Sequence, residues 1–96
     1  MTGNKNTVSG SENTILKDNN KVSGDKNKVD GNSNSVIGSQ NSLAGDENKL
    51  KGNQNTVSGN NNTLSGDNIK IINGSSNSVG GNANSITNGN SNVIVG

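Results

Sequence analysis

Aliphatic residues recur at nearly constant spacing along the chain, each one flanked by polar residues. After Met1-Thr2-Gly3 the sequence divides without remainder into thirteen repeats, eleven of seven residues and two of eight, with the consensus x-x-N-x-V-x-G. The fifth position is Val, Ile or Leu in every repeat; the third is Asn except at Ile69, and the last is Gly except at Lys17. A random Asn-rich tract would not keep this phase, so the pattern predicts a repetitive fold rather than disorder.

Each repeat predicts one short strand followed by a tight corner. The triplet around the fifth position, as in Thr56-Val57-Ser58, alternates polar, apolar and polar residues, which is the period of a half-buried strand. The aliphatic side chain then points inward, and Gly supplies backbone freedom at a corner where a Cβ would clash. Asn side chains stacked coil after coil would form an internal hydrogen-bonded ladder. We therefore predict an all-β fold, a parallel β-roll or β-solenoid, with residues 1–96 as a single repeat domain and the thirteen repeats in 4–96.

The number of repeats per turn distinguishes a flattened two-faced roll from a triangular prism. Lys occupies the fourth position only where Asp occupies the first, and we interpret this coupling as an exposed local ion pair in Asp18/Lys21, Asp25/Lys28, Asp46/Lys49 and Asp67/Lys70. Three repeats per turn would stack Lys28, Lys49 and Lys70 in one column of like charge. Two per turn separates them and places both eight-residue repeats on one face. The favoured prediction is two short strands per 14–15-residue coil, about six and a half coils and about 30 Å in length, with the prism as the alternative.

The composition excludes several classes of catalytic and binding site. The chain has no Cys, His, Pro, Arg or aromatic residue, and Asn, Gly and Ser fill 51 of its 96 positions. Thiol and imidazole catalysis and structural zinc are therefore excluded, as is recognition of bases by stacking. The net charge of +1 predicts no field for polyanions, so we expect no nucleic-acid partner. We expect no enzyme, no cofactor and no metal site, since calcium-binding rolls repeat every nine residues rather than seven.

Hydropathy also bears on the cellular location. The longest apolar runs, such as Val93-Ile94-Val95, have three residues, so we expect no membrane insertion. Met1-Thr2-Gly3 leads directly into polar sequence, so we expect no signal peptide in this sequence.

The heptad x-x-N-x-V-x-G, as in residues 53–59 and 60–66, resembles the repeats of the grass ice-binding proteins that inhibit ice recrystallisation. The resemblance implies an extracellular (apoplastic), left-handed β-roll whose partner is the ice crystal surface, bound by one flat face rich in Thr, Ser and Val. In that family the residues that lengthen a repeat lie on the face opposite the ice-binding face. Both eight-residue repeats of this chain are even-numbered. The odd-numbered repeats therefore carry the candidate ice-binding residues Thr7, Ser9, Ser23, Ser35, Thr63, Ser65 and Ser78. Lys21, Lys49 and Lys51 interrupt this face and depart from the family pattern.

A structural or self-assembling module is the alternative to non-catalytic ice binding. Asn34-Ser35-Val36-Ile37-Gly38 is similar to segments of the β-roll heads of bacterial trimeric adhesins, and an engineered or fibre-like scaffold would have the same kind of repeat. The repeats of this sequence include no capping element beside Val93-Ile94-Val95, so we expect open coil ends that favour end-to-end self-association.

Overall fold

The structure, a computed structural model, describes residues 2–96 and contains one three-residue strand per repeat. Each strand is centred on the fifth position, as the alternation predicts. The strands are β1 (Thr7–Ser9), β2 (Thr14–Leu16), β3 (Lys21–Ser23), β4 (Lys28–Asp30), β5 (Ser35–Ile37), β6 (Ser42–Ala44), β7 (Lys49–Lys51), β8 (Thr56–Ser58), β9 (Thr63–Ser65), β10 (Lys70–Ile72), β11 (Ser78–Gly80), β12 (Ser85–Thr87) and β13 (Val93–Val95). None of the residues from 2 to 96 lies in a helix of the length and hydropathy needed to cross a membrane.

The strands form two parallel sheets, one from the odd-numbered and one from the even-numbered repeats. The order is β1-β3-β5-β7-β9-β11-β13 in the seven-stranded sheet and β2-β4-β6-β8-β10-β12 in the six-stranded sheet. Pairing is in register, so that the inward Val36 lies beside the inward Leu50. The roll measures 32 × 19 × 13 Å. Two strands per coil and the predicted length are confirmed, and the prism is excluded; the left-handed sense stays a prediction.

The core is a narrow layer of aliphatic side chains between the two sheets. Val8 and Ile94, in the first and last strands, are partly buried and pack against it. The fully buried apolar residues are Ile15, Val22, Val29, Val36, Leu43, Leu50, Val57, Leu64, Ile69, Ile71, Val79 and Ile86. Every predicted inward position therefore contributes to the core.

Buried Asn side chains connect successive coils, as predicted. Asn34 Oδ1 accepts a hydrogen bond from the Asn48 backbone N–H at 2.9 Å, and Asn34 Nδ2 donates to the Gly45 carbonyl at 2.8 Å. This ladder along the seven-stranded sheet is continuous from Asn6 to Asn92. Within residues 2–96 no buried side-chain nitrogen or oxygen lacks a hydrogen-bond partner, so the polar part of the interior is satisfied.

The second ladder, along the six-stranded sheet, is interrupted at Ile69, which is 1% exposed. The Ile69 backbone N–H still donates to Asn55 Oδ1 at 2.8 Å. The Ile69 side chain has no oxygen to offer the Asn84 N–H in the next coil. The ladder along the six-stranded sheet therefore breaks after Ile69.

Close stacking of the coils explains the Gly at the end of each repeat. Gly52 has φ of +134°, and a Cβ there would lie 1.8 Å from the carbonyl oxygen of Gly66 in the next coil. The predicted clash is confirmed, and its partner is the backbone of the next coil. Lys17, which replaces Gly, also has positive φ, at +79°.

A second conformational feature of the corners was not expected. The second residue of every repeat is left-handed, with φ close to +60°, although none is Gly: Lys5, Glu12, Asn19, Lys26, Ser33, Gln40, Glu47, Gln54, Asn61, Asn68, Ser76, Ala83 and Ser91. The eight-residue repeats add one further left-handed residue each, Asn73 and Asn88, beside adjacent strands of the six-stranded sheet. Their location on one sheet was predicted, and Asn tolerates this conformation well.

The predicted Asp–Lys ion pairs are wrong. Among residues 2–96 the salt bridge joins Lys17 Nζ to Asp30 Oδ1 at 3.6 Å, and both side chains are about half exposed. The Asp at the start of a repeat accepts a hydrogen bond from the coil before it: Asp46 Oδ1 receives the Asn32 backbone N–H at 2.7 Å. Asn60 has the same role, since its Oδ1 accepts a hydrogen bond from the Asp46 backbone N–H at 2.8 Å. The first residue of the repeat therefore joins successive coils, and the residues next to it in the sequence do not indicate this contact.

Candidate functional site

The outward side chains of the seven-stranded sheet form a two-column surface, here called the seven-stranded face. Neighbours within a column are about 4.8 Å apart, and the two columns are separated by about 6.6 Å, because alternate residues of a strand point the same way. One column contains Thr7, Lys21, Ser35, Lys49, Thr63, Ser78 and Val93, and the other contains Ser9, Ser23, Ile37, Lys51, Ser65, Gly80 and Val95.

All seven residues named from the sequence lie on this face. Ser35 is half-buried and the other six are exposed. The first column holds Thr7, Ser35, Thr63 and Ser78, and the second holds Ser9, Ser23 and Ser65. The structure thus brings them together as a spaced array on one surface rather than as a compact cluster.

Lysines divide the seven-stranded face into two parts. Lys21 lies between Thr7 and Ser35, while Lys49 and Lys51 both project from β7. A shallow depression of about 270 Å³ surrounds Lys49 and Lys51 and extends onto the neighbouring strands.

The other part is a charge-free strip made by β9, β11 and β13. Its outward residues are Thr63, Ser65, Ser78, Gly80, Val93 and Val95. Val93 and Val95 are 76% and 89% exposed. The sequence-derived set omitted Gly80 and these two valines, although the parity of their positions places them on the same face.

The six-stranded face is less open. Its columns contain Thr14, Lys28, Ser42, Thr56, Lys70 and Ser85 in one line and Leu16, Asp30, Ala44, Ser58, Ile72 and Thr87 in the other. Leu16, Asp30, Ser58 and Ile72 are half-buried, so most of the second column is recessed. This face also carries charges of both signs.

Apart from the ammonium groups of its three lysines, the seven-stranded face presents hydroxyl and methyl groups on a repetitive scaffold. Ser and Thr hydroxyls both donate and accept hydrogen bonds, so an array of them can hold ordered water. Among residues 2–96 no three His, Cys, Asp or Glu side chains are grouped as a metal site would require. The surface is therefore suited to contact with another ordered surface.

A family model described as grass antifreeze beta roll matches residues 1–71. The match spans β1 to β9 and most of β10. A search of curated proteins finds no match to the chain.

Proposed function

This chain belongs to the grass antifreeze β-roll family, and on that premise we propose that it binds ice and inhibits ice recrystallisation through the seven-stranded face. The observation that carries the proposal is the in-register double column of small side chains that β9, β11 and β13 present on that face. Its repeat of about 4.8 Å by about 6.6 Å follows from the strand geometry alone.

A fixed array of hydroxyl and methyl groups holds water in fixed positions, and water so held can merge with a crystal surface. Rigidity matters because each mobile side chain would lose conformational entropy on binding. Ser, Thr and Val have few rotatable bonds, and in-register pairing and the continuous Asn ladder behind the sheet fix the backbone beneath them.

The charge-free strip is the strongest part of the proposed surface. An ammonium group is strongly hydrated and sits on a flexible stem, so Lys21, Lys49 and Lys51 interrupt an ordered water layer. Thr63, Ser65 and Ser78 are therefore assigned the main contact, extended by Val93 and Val95. Thr7, Ser9, Ser23 and Ser35 would add contacts on the interrupted part.

The proposed activity is non-catalytic and needs no cofactor or metal. It acts by adsorption to growing ice, which stops large crystals from growing at the expense of small ones. The family resemblance points to the extracellular space as its place of action.

Self-association of the roll is the second candidate function. The observation that favours it is the exposure of Val93 and Val95, two branched apolar side chains on one strand. Light scattering over a range of protein concentrations tests it: a mass that rises with concentration and falls back on Val95→Lys supports assembly. A constant monomer mass contradicts assembly.

Two matched substitutions test the proposed face. Thr63 and Thr56 occupy the same strand position, and each lies between a Lys and a Ser, Thr63 on the seven-stranded sheet and Thr56 on the six-stranded sheet. Thr63→Tyr places a large ring on the proposed surface, and we expect it to abolish inhibition in an ice-recrystallisation assay. Thr56→Tyr should leave inhibition unchanged. Loss on Thr56→Tyr alone, or equal loss in both, would contradict the assignment, and an inactive but folded wild type would contradict ice binding itself.

A further inference from the structure

The fold separates charges that the net charge of +1 conceals. Six of the seven carboxylates occupy the first or second position of a repeat, at the corners: Glu12, Asp18, Asp25, Asp46, Glu47 and Asp67. The seventh, Asp30, is on the six-stranded face and contacts Lys17. The seven-stranded face carries Lys21, Lys49 and Lys51 and no outward carboxylate. The outward charges of this face are therefore all positive, while Asp18, Asp46 and Glu47 lie at the corners of the same repeats.

The three lysines form a compact patch. Lys21 and Lys49 belong to one column with Ser35 between them, so their backbones are about 9.6 Å apart. Lys51 lies about 6.6 Å from Lys49 along β7. Ile37, which is 51% exposed, lies next to Lys51 in the second column. We call Lys21, Ile37, Lys49 and Lys51 the basic patch.

We propose that the basic patch docks the roll on the surface of an anionic lipid bilayer, a partner distinct from ice. The ammonium groups would contact phosphate and carboxylate oxygens of lipid headgroups, and Ile37 would meet the apolar side of the interface. The flexible lysine stems allow all three ammonium groups to reach one plane. The two lysines of the six-stranded face form no such patch, because Lys28 shares its strand with Asp30 and Lys70 lies three strands away.

The geometry favours a planar anionic partner over a nucleic acid. A broad sheet face cannot enter a groove to contact base edges, and the chain has no aromatic side chain on which a base could stack. A single small anion is also disfavoured, because all three lysines are exposed and ion pairs in full contact with water contribute little.

The expected strength follows from the number of charges. Each lysine close to an anionic bilayer contributes about a fivefold gain in partitioning, so three contribute on the order of 100-fold at low ionic strength. Screening lengths fall from about 30 Å at 0.01 M salt to about 8 Å at 0.15 M, so binding should be reversible and strongly salt-dependent.

Co-sedimentation with vesicles of phosphatidylcholine, with and without phosphatidylserine, tests the proposal at about 0.01 M salt. The wild type should sediment only with the phosphatidylserine vesicles, and Lys21→Ser/Lys49→Ser/Lys51→Ser should lower partitioning on the order of 100-fold. The control Lys26→Ser/Lys28→Ser/Lys70→Ser removes the same charge from other surfaces and should retain most binding. Circular dichroism establishes that each variant is folded.

Several outcomes would overturn the proposal: equal loss in the two triple variants, equal binding to neutral vesicles, or binding to soluble heparin but not to vesicles. Should the first variant fail to fold, Ser23→Glu places a carboxylate inside the patch by one exposed substitution. It should reduce sedimentation with anionic vesicles, and unchanged sedimentation would contradict the proposal. Ice-recrystallisation activity is measured separately, so this proposal and the proposed function can fail independently.

Discussion

Replacing one buried Asn by Leu tests the claim that the Asn ladder holds the coils together. Asn34 is 1% exposed, and its side chain bonds to Asn20 in the coil before it and to Asn48 in the coil after it. Its Oδ1 accepts the Asn48 backbone N–H at 2.9 Å, and its Nδ2 donates to the Gly45 carbonyl at 2.8 Å. Asn34→Leu is close in size but removes both of these partners.

The magnitude follows from the two backbone groups that lose their partners. A buried donor or acceptor left unsatisfied costs about 1–3 kcal/mol, so the Asn48 N–H and the Gly45 carbonyl together cost about 2–6 kcal/mol. The added apolar contact of Leu offsets about 1–2 kcal/mol of this. From the midpoints of these two ranges we expect a net loss of about 2.5 kcal/mol, a large part of the total stability of a small domain.

Thermal unfolding followed by far-ultraviolet circular dichroism measures the loss. In a domain of this size each kcal/mol moves Tm by about 4–8 °C, so Asn34→Leu should lower Tm by at least about 10 °C. Asn84→Leu is the control. Asn84 is half-buried, and because Ile69 replaces the ladder Asn in the coil before it, the Asn84 backbone N–H has no side-chain acceptor in the ladder. We expect that control to cost about 1 kcal/mol or less, since its Nδ2 bonds to the Gly80 and Gly96 carbonyls are partly exposed. Equal Tm shifts in the two variants would refute the reasoning.

Two further predictions concern the corner and the lysines. Gly52→Ala should destabilise the fold by at least about 3 kcal/mol in denaturant unfolding, because its Cβ would lie 1.8 Å from the Gly66 carbonyl oxygen. The control Gly80→Ala, whose Cβ meets nothing nearer than 3.9 Å, should change stability by about 0.5 kcal/mol or less. Similar losses of stability in the two variants would contradict the stacking argument. Lys49→Thr/Lys51→Thr should lower the protein concentration needed to stop ice recrystallisation, because it extends the charge-free strip by one strand. An unchanged or higher concentration would contradict this prediction. The same gain from replacing both lysines of the six-stranded face would also contradict it.

The strands and the core were predictable because the same pattern of polar and aliphatic positions occurs in all thirteen repeats. The aliphatic fifth position fixes which side chains point inward, as with Leu50 and Val57. The placement of Lys28, Lys49 and Lys70 favoured two strands per turn over three, since like charges avoid one column, and the two observed sheets then excluded the prism. The outward residues of each face then followed from parity, which is why all seven named residues lie on one sheet.

The corners were harder to predict because their interactions cross from coil to coil. The left-handed residues include Lys5, Gln54 and Ala83, whose side chains share no property that favours positive φ. The role of Asp46 as acceptor for the Asn32 N–H depends on a residue fourteen positions away. Local reasoning therefore assigned that carboxylate to a nearby Lys instead.

The division of the seven-stranded face by charge also depends on the fold. Lys21 and Lys49 are 28 positions apart in the sequence, yet one strand separates them in the sheet. Composition alone reports a nearly neutral chain. The two-column register is what separates a basic patch from a charge-free strip.

Partitioning of the protein into slowly growing ice tests the central claim most directly. Ice is grown into a solution of the wild type, Thr63→Tyr or Thr56→Tyr, and the protein in the ice fraction is compared with that in the remaining liquid. The account predicts that the wild type and Thr56→Tyr enter the ice while Thr63→Tyr stays in the liquid. Exclusion of the folded wild type from ice, or entry of Thr63→Tyr with exclusion of Thr56→Tyr, would contradict it.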